Sequence, residues 1–280
     1  MKIICGTDFS KNSEQAAIAA ATIAHVLGDR LILAHVTDET VLMSLPQDVR
    51  QTAAAATAEQ LHDAVRRLRP IGARVEEEML SGRPDEALLE LASDSDVRLL
   101  VMASLGRRAN EWLLGSTAER VAERAPVPTL VVRSAAPFEA WGRGDRPLKL
   151  FVAFDFSGAA EAGLRWVEGL LAAGSCEVVV GYVDWPLGEA ARLGTTGQFL
   201  RSHNPPQVQQ VLERELSERA RALLPNGCHP HPHRTKHRSR RPATDRNGGR
   251  GAGRPHRRWH APAARFGPRR ASLNLARLAP

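Results

Sequence analysis

The 280-residue sequence is short of aromatic side chains, which make up 5% of it, with a single Tyr and four Met. Its core must therefore be built from Ala, Leu, Val and Ile. It has three cysteines, Cys5, Cys176 and Cys228, and no CxxC pair. An odd, scattered set excludes a disulfide framework and a structural zinc site. Cys5 sits in an apolar run and reads as a small core residue. No run approaches the roughly 18 apolar residues of a membrane span. The opening Met-Lys-Ile-Ile-Cys reads as a strand rather than the apolar core of a signal peptide, so a cytoplasmic protein without a membrane partner is expected. The 43% hydrophobic content suffices for one large or two small domains.

Acidic residues are nearly missing from one end. From Pro225 to Pro280 there are thirteen Arg, one Lys and one Asp, a net of +13. The whole chain carries +7, so residues 1–224 carry −6. Any nucleic-acid argument from charge rests on the tail alone, and nucleic acid is an unlikely partner. The tail also lacks Val, Ile, Glu and Met, and holds six of the ten His and eight of the 18 Pro. Such a composition cannot offset the entropy of ordering itself, and a disordered basic tail is expected.

What is present alternates. Lys2–Gly6 is a short apolar strand. Ser10 can cap a helix that ends near Gly28. Leu31–Val36 is a second strand, 48–68 an Ala-rich helix, and Ala73–Met79 a third strand with Val75 inward. Pro84, followed by Asp85 and Glu86, suits the first turn of another helix, because acids favour the positive end of its dipole. Leu99–Met102 is a fully apolar strand, as a sheet covered on both faces requires. A helix from Ser116 to Ala125 and a strand Thr129–Val132 complete the set. This order predicts an α/β fold, a doubly wound, Rossmann-like, parallel five-stranded sheet over residues 1–135. Its ligand belongs beyond the carboxyl ends of the strands, where strand order reverses.

Residues 136–147, with Pro, Gly and charge, read as a linker. The pattern then restarts: strand Leu148–Phe154, Asp155-Phe156-Ser157, a helix 159–172, strand Glu177–Val183 and a helix from Pro206. Gly6-Thr7-Asp8-Phe9-Ser10 stands at the same point of the first half. Residues 148–224 are thus a partial second copy. Its missing half is expected to leave Val178, Val180 and Leu164 uncovered. The tail at 225–280 admits a further reading. Shifted by one nucleotide with permitted codons, Ala243–Gly248 becomes Leu-Leu-Ile-Glu-Met-Ala and Gly253–His260 becomes Ala-Asp-Leu-Ile-Val-Val-Gly-Thr. These are the helix and strand that the second copy lacks, in the right order, so the tail reads as out-of-frame.

The first half resembles the universal stress protein family. The resemblance rests on Thr7-Asp8-Phe9-Ser10 after strand one, His35-Val36 ending strand two, Gly82-Arg83-Pro84, and Ala103-Ser104-Leu105-Gly106-Arg107. It extends through Gly115-Ser116-Thr117-Ala118-Glu119-Arg120-Val121 and Ala125-Pro126-Val127-Pro128-Thr129. In the ATP-binding branch a Gly-x-x-Gly is followed by nine residues and Gly-Ser or Gly-Thr. Here Ala103 replaces the first glycine and the spacer has eight residues. The resemblance implies ATP or a related adenine nucleotide, with Mg²⁺ as a companion, held by Thr7, Asp8, Val36, Ala103, Gly106, Arg107, Gly115, Ser116 and Thr117. Gly106 can turn backbone N–H groups toward a phosphate, and Gly115–Thr117 open a helix whose free N–H groups attract anions. Asp8 could accept from an adenine amino group or a ribose hydroxyl.

The implied role is regulatory and non-catalytic, in a homodimer or an intramolecular pseudo-dimer. Two alternatives are a nucleotide-free, dimerising interaction module and an adenylating enzyme of the wider adenine-nucleotide fold. No metal-ligating or catalytic set stands out. His229, His231 and His233 alternate with prolines at spacings no standard site uses.

Overall fold

The computed structural model describes residues 1–38, 44, 46–106, 115–184, 206–224, 229–231 and 272–279. The chain divides into two compact units. One comprises Met1–Leu150 and Arg165–Glu177, the other Phe151–Leu164 and Val178–Ala279.

The first unit holds a sheet of β1 (Lys2–Gly6), β2 (Arg30–Thr37), β3 (Arg74–Ser81), β4 (Val97–Ala103) and β5 (Thr129–Val132). All pairs are parallel, in the order β3-β2-β1-β4-β5. Strand order reverses between β1 and β4. Helix α1 (Lys11–Leu27) and α2 (Gln47–Leu68) lie between the strands that step one way, and α3 (Pro84–Leu91) and α4 (Ser116–Arg124) between those that step the other. Right-handed crossovers then place the two pairs on opposite faces.

Local chemistry sets the helix ends. Ser10 caps α1 by accepting from the Ser13 N–H, and Gly28 closes it at φ 68. Only glycine takes that left-handed conformation without strain. Pro84 opens α3. On one face of the sheet Ile4, Ile32, Ala34, Leu100 and Met102 pack with Leu88, Ala118 and Val121. The opposite face is lined by Ile3, Cys5, Leu31, Leu33, Leu99 and Val101, all within 1% of complete burial, and α1 buries Ala16, Ala19, Ala20 and Ala24. Those methyls let a helix approach a sheet closely. Burial pushes the Cys5 thiol up to about 12, so it serves as core and not as a nucleophile. Val75 is half-buried and not fully inward, because β3 is an edge strand.

Residues 136–147, expected as a linker, include helix α5 (Ala136–Gly142). It buries Ala140 and Trp141. Gln15 of α1 accepts from the Ala135 N–H at 3.0 Å. A β-carbon on Gly142 would fall 2.4 Å from Thr22 Cγ2, so this close approach requires glycine. The Pro, Gly and charge of the segment hid that apolar anchor.

The second sheet contains β6 (Leu148–Ala153), β7 (Cys176–Asp184), β8 (His229–His231) and β9 (Ser272–Ala279), in the order β6-β7-β9-β8. Strand β9 runs antiparallel to both neighbours, unlike any pair of the first sheet. Helices α6 (Gly158–Ala173) and α7 (Pro206–Leu223) accompany it. Most of 225–280, and with it the out-of-frame reading, lies outside the described residues.

One expectation is corrected here. Val178, Val180 and Leu164 are 1%, 0% and 0% exposed. They belong to the face that α1 and α2 cover in the first copy, and here α6 and α7 are present to do the same. Glu161 of α6 pairs with Arg219 of α7, and α7 turns Leu212, Leu216 and Ala220 inward. On the other side of the same sheet Phe151 is 58% exposed.

Among the described residues, no helix is long and apolar enough to cross a membrane.

Candidate functional site

Three segments meet at the carboxyl edge of the first sheet. The first follows β1. Asp8 Oδ1 accepts from the Ser10 N–H at 3.0 Å, forming a tight side-chain turn. Phe9, in the middle of that turn, sits at φ 59, an outlying conformation for a bulky residue. Its ring stacks on His35 with centroids 4.4 Å apart. His35 Nδ1 lies 2.8 Å from the Thr7 carbonyl, so that nitrogen carries the proton and donates. The Thr7 hydroxyl accepts from the Phe9 N–H at 3.1 Å and donates to Ser13 at 3.2 Å. Thr7 is thereby committed to shaping the loop.

The second segment is the end of β2. Its ladder to β1 stops at Gly6 and Ala34, with one further bond from the Thr7 N–H to the Ala34 carbonyl. Backbone groups alternate sides along a strand, so Val36 offers its N–H and C=O on the same side as Ala34, past the end of β1. Its side chain packs against the core cluster under α3 and α4.

The third segment joins β4 to α4. Ala103 ends β4, opposite Val132. The Gly115 N–H donates to the Ser104 carbonyl at 2.8 Å, closing the loop on itself. A β-carbon on Gly115 would lie 3.5 Å from the Ser104 oxygen and 3.6 Å from the Gly106 nitrogen. One built on Gly106 would lie 3.2 Å from Asp8 Oδ2. Asp8, Gly106 and Gly115 therefore adjoin one another across the β1–β4 reversal. Gly115 is the N-cap of α4, in extended conformation and with no side-chain cap. Ser116 is the first helical residue, one position inside the cap. Gly115, lacking a side chain, supplies no acceptor to the first-turn N–H groups of α4. Ser116 is exposed and Thr117 half-buried. Arg107 lies outside the described residues.

Eight of the nine predicted positions are thus described, and they cluster at this edge. A separate cavity of about 370 Å³ opens on the α1 and α2 side, lined by Thr7, Phe9, Ser10, Ala17, Leu33 and Leu68 among others. It shares only Thr7 with the predicted set and offers none of the loop glycines. Among the described residues, no group of three His, Cys, Asp or Glu could hold a metal ion.

Sequence reasoning matched Phe9 to Phe156 but gave neither Phe9 nor Ser13 a role in the loop. A signal for Phe9 was available, since Phe156 recurs at the same point of the second copy. It too adopts a positive φ, 64, and Asp155 Oδ1 accepts from the Ser157 N–H at 3.0 Å. Asp85 was read only as a first-turn acid. It is buried, and its Oδ2 accepts from Arg120 Nε of α4 at 2.8 Å, with Arg83 at 3.6 Å. Burial pushes its carboxyl up, but the Arg120 hydrogen bond, its own backbone N–H and the charges of Arg120 and Arg83 together hold it below the usual carboxylate range.

A family profile described as the universal stress protein family matches residues 1–133. Universal stress protein MJ0531 of Methanocaldococcus jannaschii is 31% identical over 138 residues, spanning 47% of this chain and 81% of that protein. Universal stress protein Rv1636 of Mycobacterium tuberculosis is 32% identical over 139 residues, spanning 47% of this chain and 95% of that protein. A crystal structure of a universal stress protein in complex with cAMP is 30% identical, covers 48% of this chain and 97% of its own, and superposes with a TM-score of 0.41.

Proposed function

Because the chain belongs to the universal stress protein family, we propose that its first copy binds ATP or a related adenine nucleotide, in a regulatory and non-catalytic role. The observation that carries this reading is the adjacency of Asp8, Gly106 and Gly115 at the strand-order reversal. Open α/β sheets take their ligands at that point.

The residues suit the ligand's chemistry. The uncapped first turn of α4 presents N–H groups and a positive dipole end to phosphate oxygens. Ser116 and Thr117 add hydroxyl donors. A side chain at Gly106 or Gly115 would intrude on this cradle. The Asp8 carboxylate, fixed by the Ser10 N–H, suits a ribose hydroxyl or an adenine amino group. Val36 extends beyond β1 with backbone groups of the kind that pair with an adenine edge. Ala103, at the first glycine position, adds one methyl there. Mg²⁺, if it accompanies the nucleotide, would be held chiefly by the phosphates, as is usual for that ion.

The test is equilibrium titration with a fluorescent ATP analogue. The full chain should bind it, and Gly115→Leu should abolish binding while leaving the far-ultraviolet circular dichroism unchanged. Unaltered affinity in Gly115→Leu would rule out this cradle. A folded chain that binds no adenine nucleotide would instead favour the interaction-module reading, toward which the missing first glycine points. Release of pyrophosphate with a carboxylic acid substrate would mark an adenylating enzyme.

A further inference from the structure

Asp85 stands outside the proposed cradle, yet it is 1% exposed and holds a residue of α4. We infer that Asp85 is a positioning residue, which acts through Arg120 to set the amino end of α4 for phosphate binding. The inference rests on the nucleotide reading above.

The need for such a device follows from how α4 is held. Its Ala118 and Val121 pack with Leu88 of α3 over Ile4 and Leu100. Apolar packing of this kind is non-directional and tolerates small shifts along the helix axis. The amino end has no side-chain cap, and the backbone bond from the Gly115 N–H to the Ser104 carbonyl ties only the cap residue itself. The bond from Arg120 Nε to Asp85 Oδ2, at 2.8 Å, is directional. Arg120 is one helical turn beyond Ser116 and so lies on the same face. A carboxylate anchored near the start of α3 therefore fixes α4 one turn below its uncapped first turn.

Stability alone gives a poor account of this pair. The Asp85 carboxylate loses its water on burial, and that cost offsets much of what the pair gains. Asp85 Oδ1 is buried as well, with no hydrogen-bond partner among the described residues. Arg83, on the connection from β3, approaches the same carboxylate at 3.6 Å and also pairs with Glu86 at 3.1 Å. Its side chain and that of Arg120 are 62% and 42% exposed. The buried partner shared by both is Asp85.

The experiment uses the full chain and two probes, a fluorescent ATP analogue and the matching fluorescent adenosine analogue that lacks phosphates. The variants are Asp85→Asn and Arg120→Gln, singly and together. If Asp85 acts on α4, each variant should weaken the ATP analogue about tenfold. Each should leave the adenosine analogue unchanged, and the double variant should lose no more than either single one. Equal losses for both probes would mean general loosening and would overturn the inference, as would unchanged ATP affinity or additive losses. Should Asp85→Asn fail to fold, Arg120→Gln, at a half-exposed position, gives the same reading. Absence of ATP binding in the unaltered chain would overturn the nucleotide reading and this inference with it, whereas wild-type binding with indifferent variants overturns only this one.

Discussion

The two copies repeat the same local chemistry and end in different structures. A single offset carries Asp8 to Asp155, Ser10 to Ser157, His35 to Tyr182 and Val36 to Val183. The hydrogen bonds follow it. The Thr7 N–H donates to Ala34 as that of Phe154 does to Gly181, and the Glu14 N–H to Ser10 as that of Glu161 does to Ser157. The middle Phe of each turn takes a positive φ. Yet β1 is central, with Ile4 fully buried, whereas β6 is an edge strand and its matching Phe151 is 58% exposed. Where the first copy has the polar Thr7, the second has Phe154, 2% exposed and edge-on to Phe156 at 5.3 Å. Turn and cap geometry is thus written within a few residues and survives in either setting. A nucleotide cradle needs the second half of the sheet, because the glycines follow β4.

The largest expected contrast is in the core. Ile4→Ala should cost about 3 kcal/mol of stability, with a cavity at the centre of the first sheet. Phe151→Ala should cost no more than about 0.5 kcal/mol, as exposed positions do. Urea unfolding followed by hydrogen exchange at β1 and β6 measures both. A large cost at Phe151 would show that its face is covered in solution.

Next is the paired aspartate. Asp8→Ala should weaken binding of the ATP analogue by about tenfold or more, the scale of a hydrogen bond to a charged group. Asp155→Ala should leave it unchanged, since the described part of the second copy has no glycine loop. Equal effects would erase the functional distinction between the copies.

The caps should not distinguish them. Ser10 and Ser157 each accept from an N–H three residues on, at 3.1 and 3.2 Å. Ser10→Ala and Ser157→Ala should each cost about 1 kcal/mol. Thermal melts that differ by much more than this would show that the cap's worth depends on the rest of the sheet.

The smallest expected effects are in acid. Asp85 and Asp155 both have carboxyls held below their ordinary value, Asp155 mainly by hydrogen bonds from the Ser157 hydroxyl and its N–H. A carboxyl depressed on folding stabilises above its unfolded pKa of about 3.9, and that contribution vanishes as the pH falls through the folded value. Asp85→Asn should therefore flatten the acid limb of the first unit's stability below about pH 4. Asp155→Asn, fully exposed, should change the second unit's limb less. The reverse order in pH-dependent melts would contradict the buried pairing.

Legibility followed range along the chain. Ser10 and Gly28 announced both ends of α1, Pro84 opened α3, and Thr129–Val132 was bounded as it stands. Each signal lies within a turn of what it controls. The candidate cluster was also legible, because a parallel sheet brings every strand's carboxyl end to one edge. Hidden features depend on distant partners. Asp85 looks like an ordinary first-turn acid until Arg120 arrives from another helix. The exposure expected of Val178, Val180 and Leu164 was misplaced because burial depends on which helices exist and not on the strand's own pattern. Trp141 could not declare itself an anchor before its helix met α1, through Ala135 on Gln15 and Gly142 against Thr22.

The central position of β1 has a consequence during synthesis. Ile3 pairs with Leu31 on one side and Leu99 on the other. A chain leaving the ribosome can close the first pairing early, with α1 packed across it, but must wait for β4 to close the second. During that interval β1 shows an open edge, as β6 does among the described strands. The second copy then resembles an arrested stage of the first, and ribosome-bound chains stopped short of β4 should share its exposed edge and be cut by protease at β1. If those chains resist protease as the finished domain does, the early unit closes by another route. A cell making this protein would then have to shelter the strand-turn-helix-strand unit of the first copy until β4 emerges.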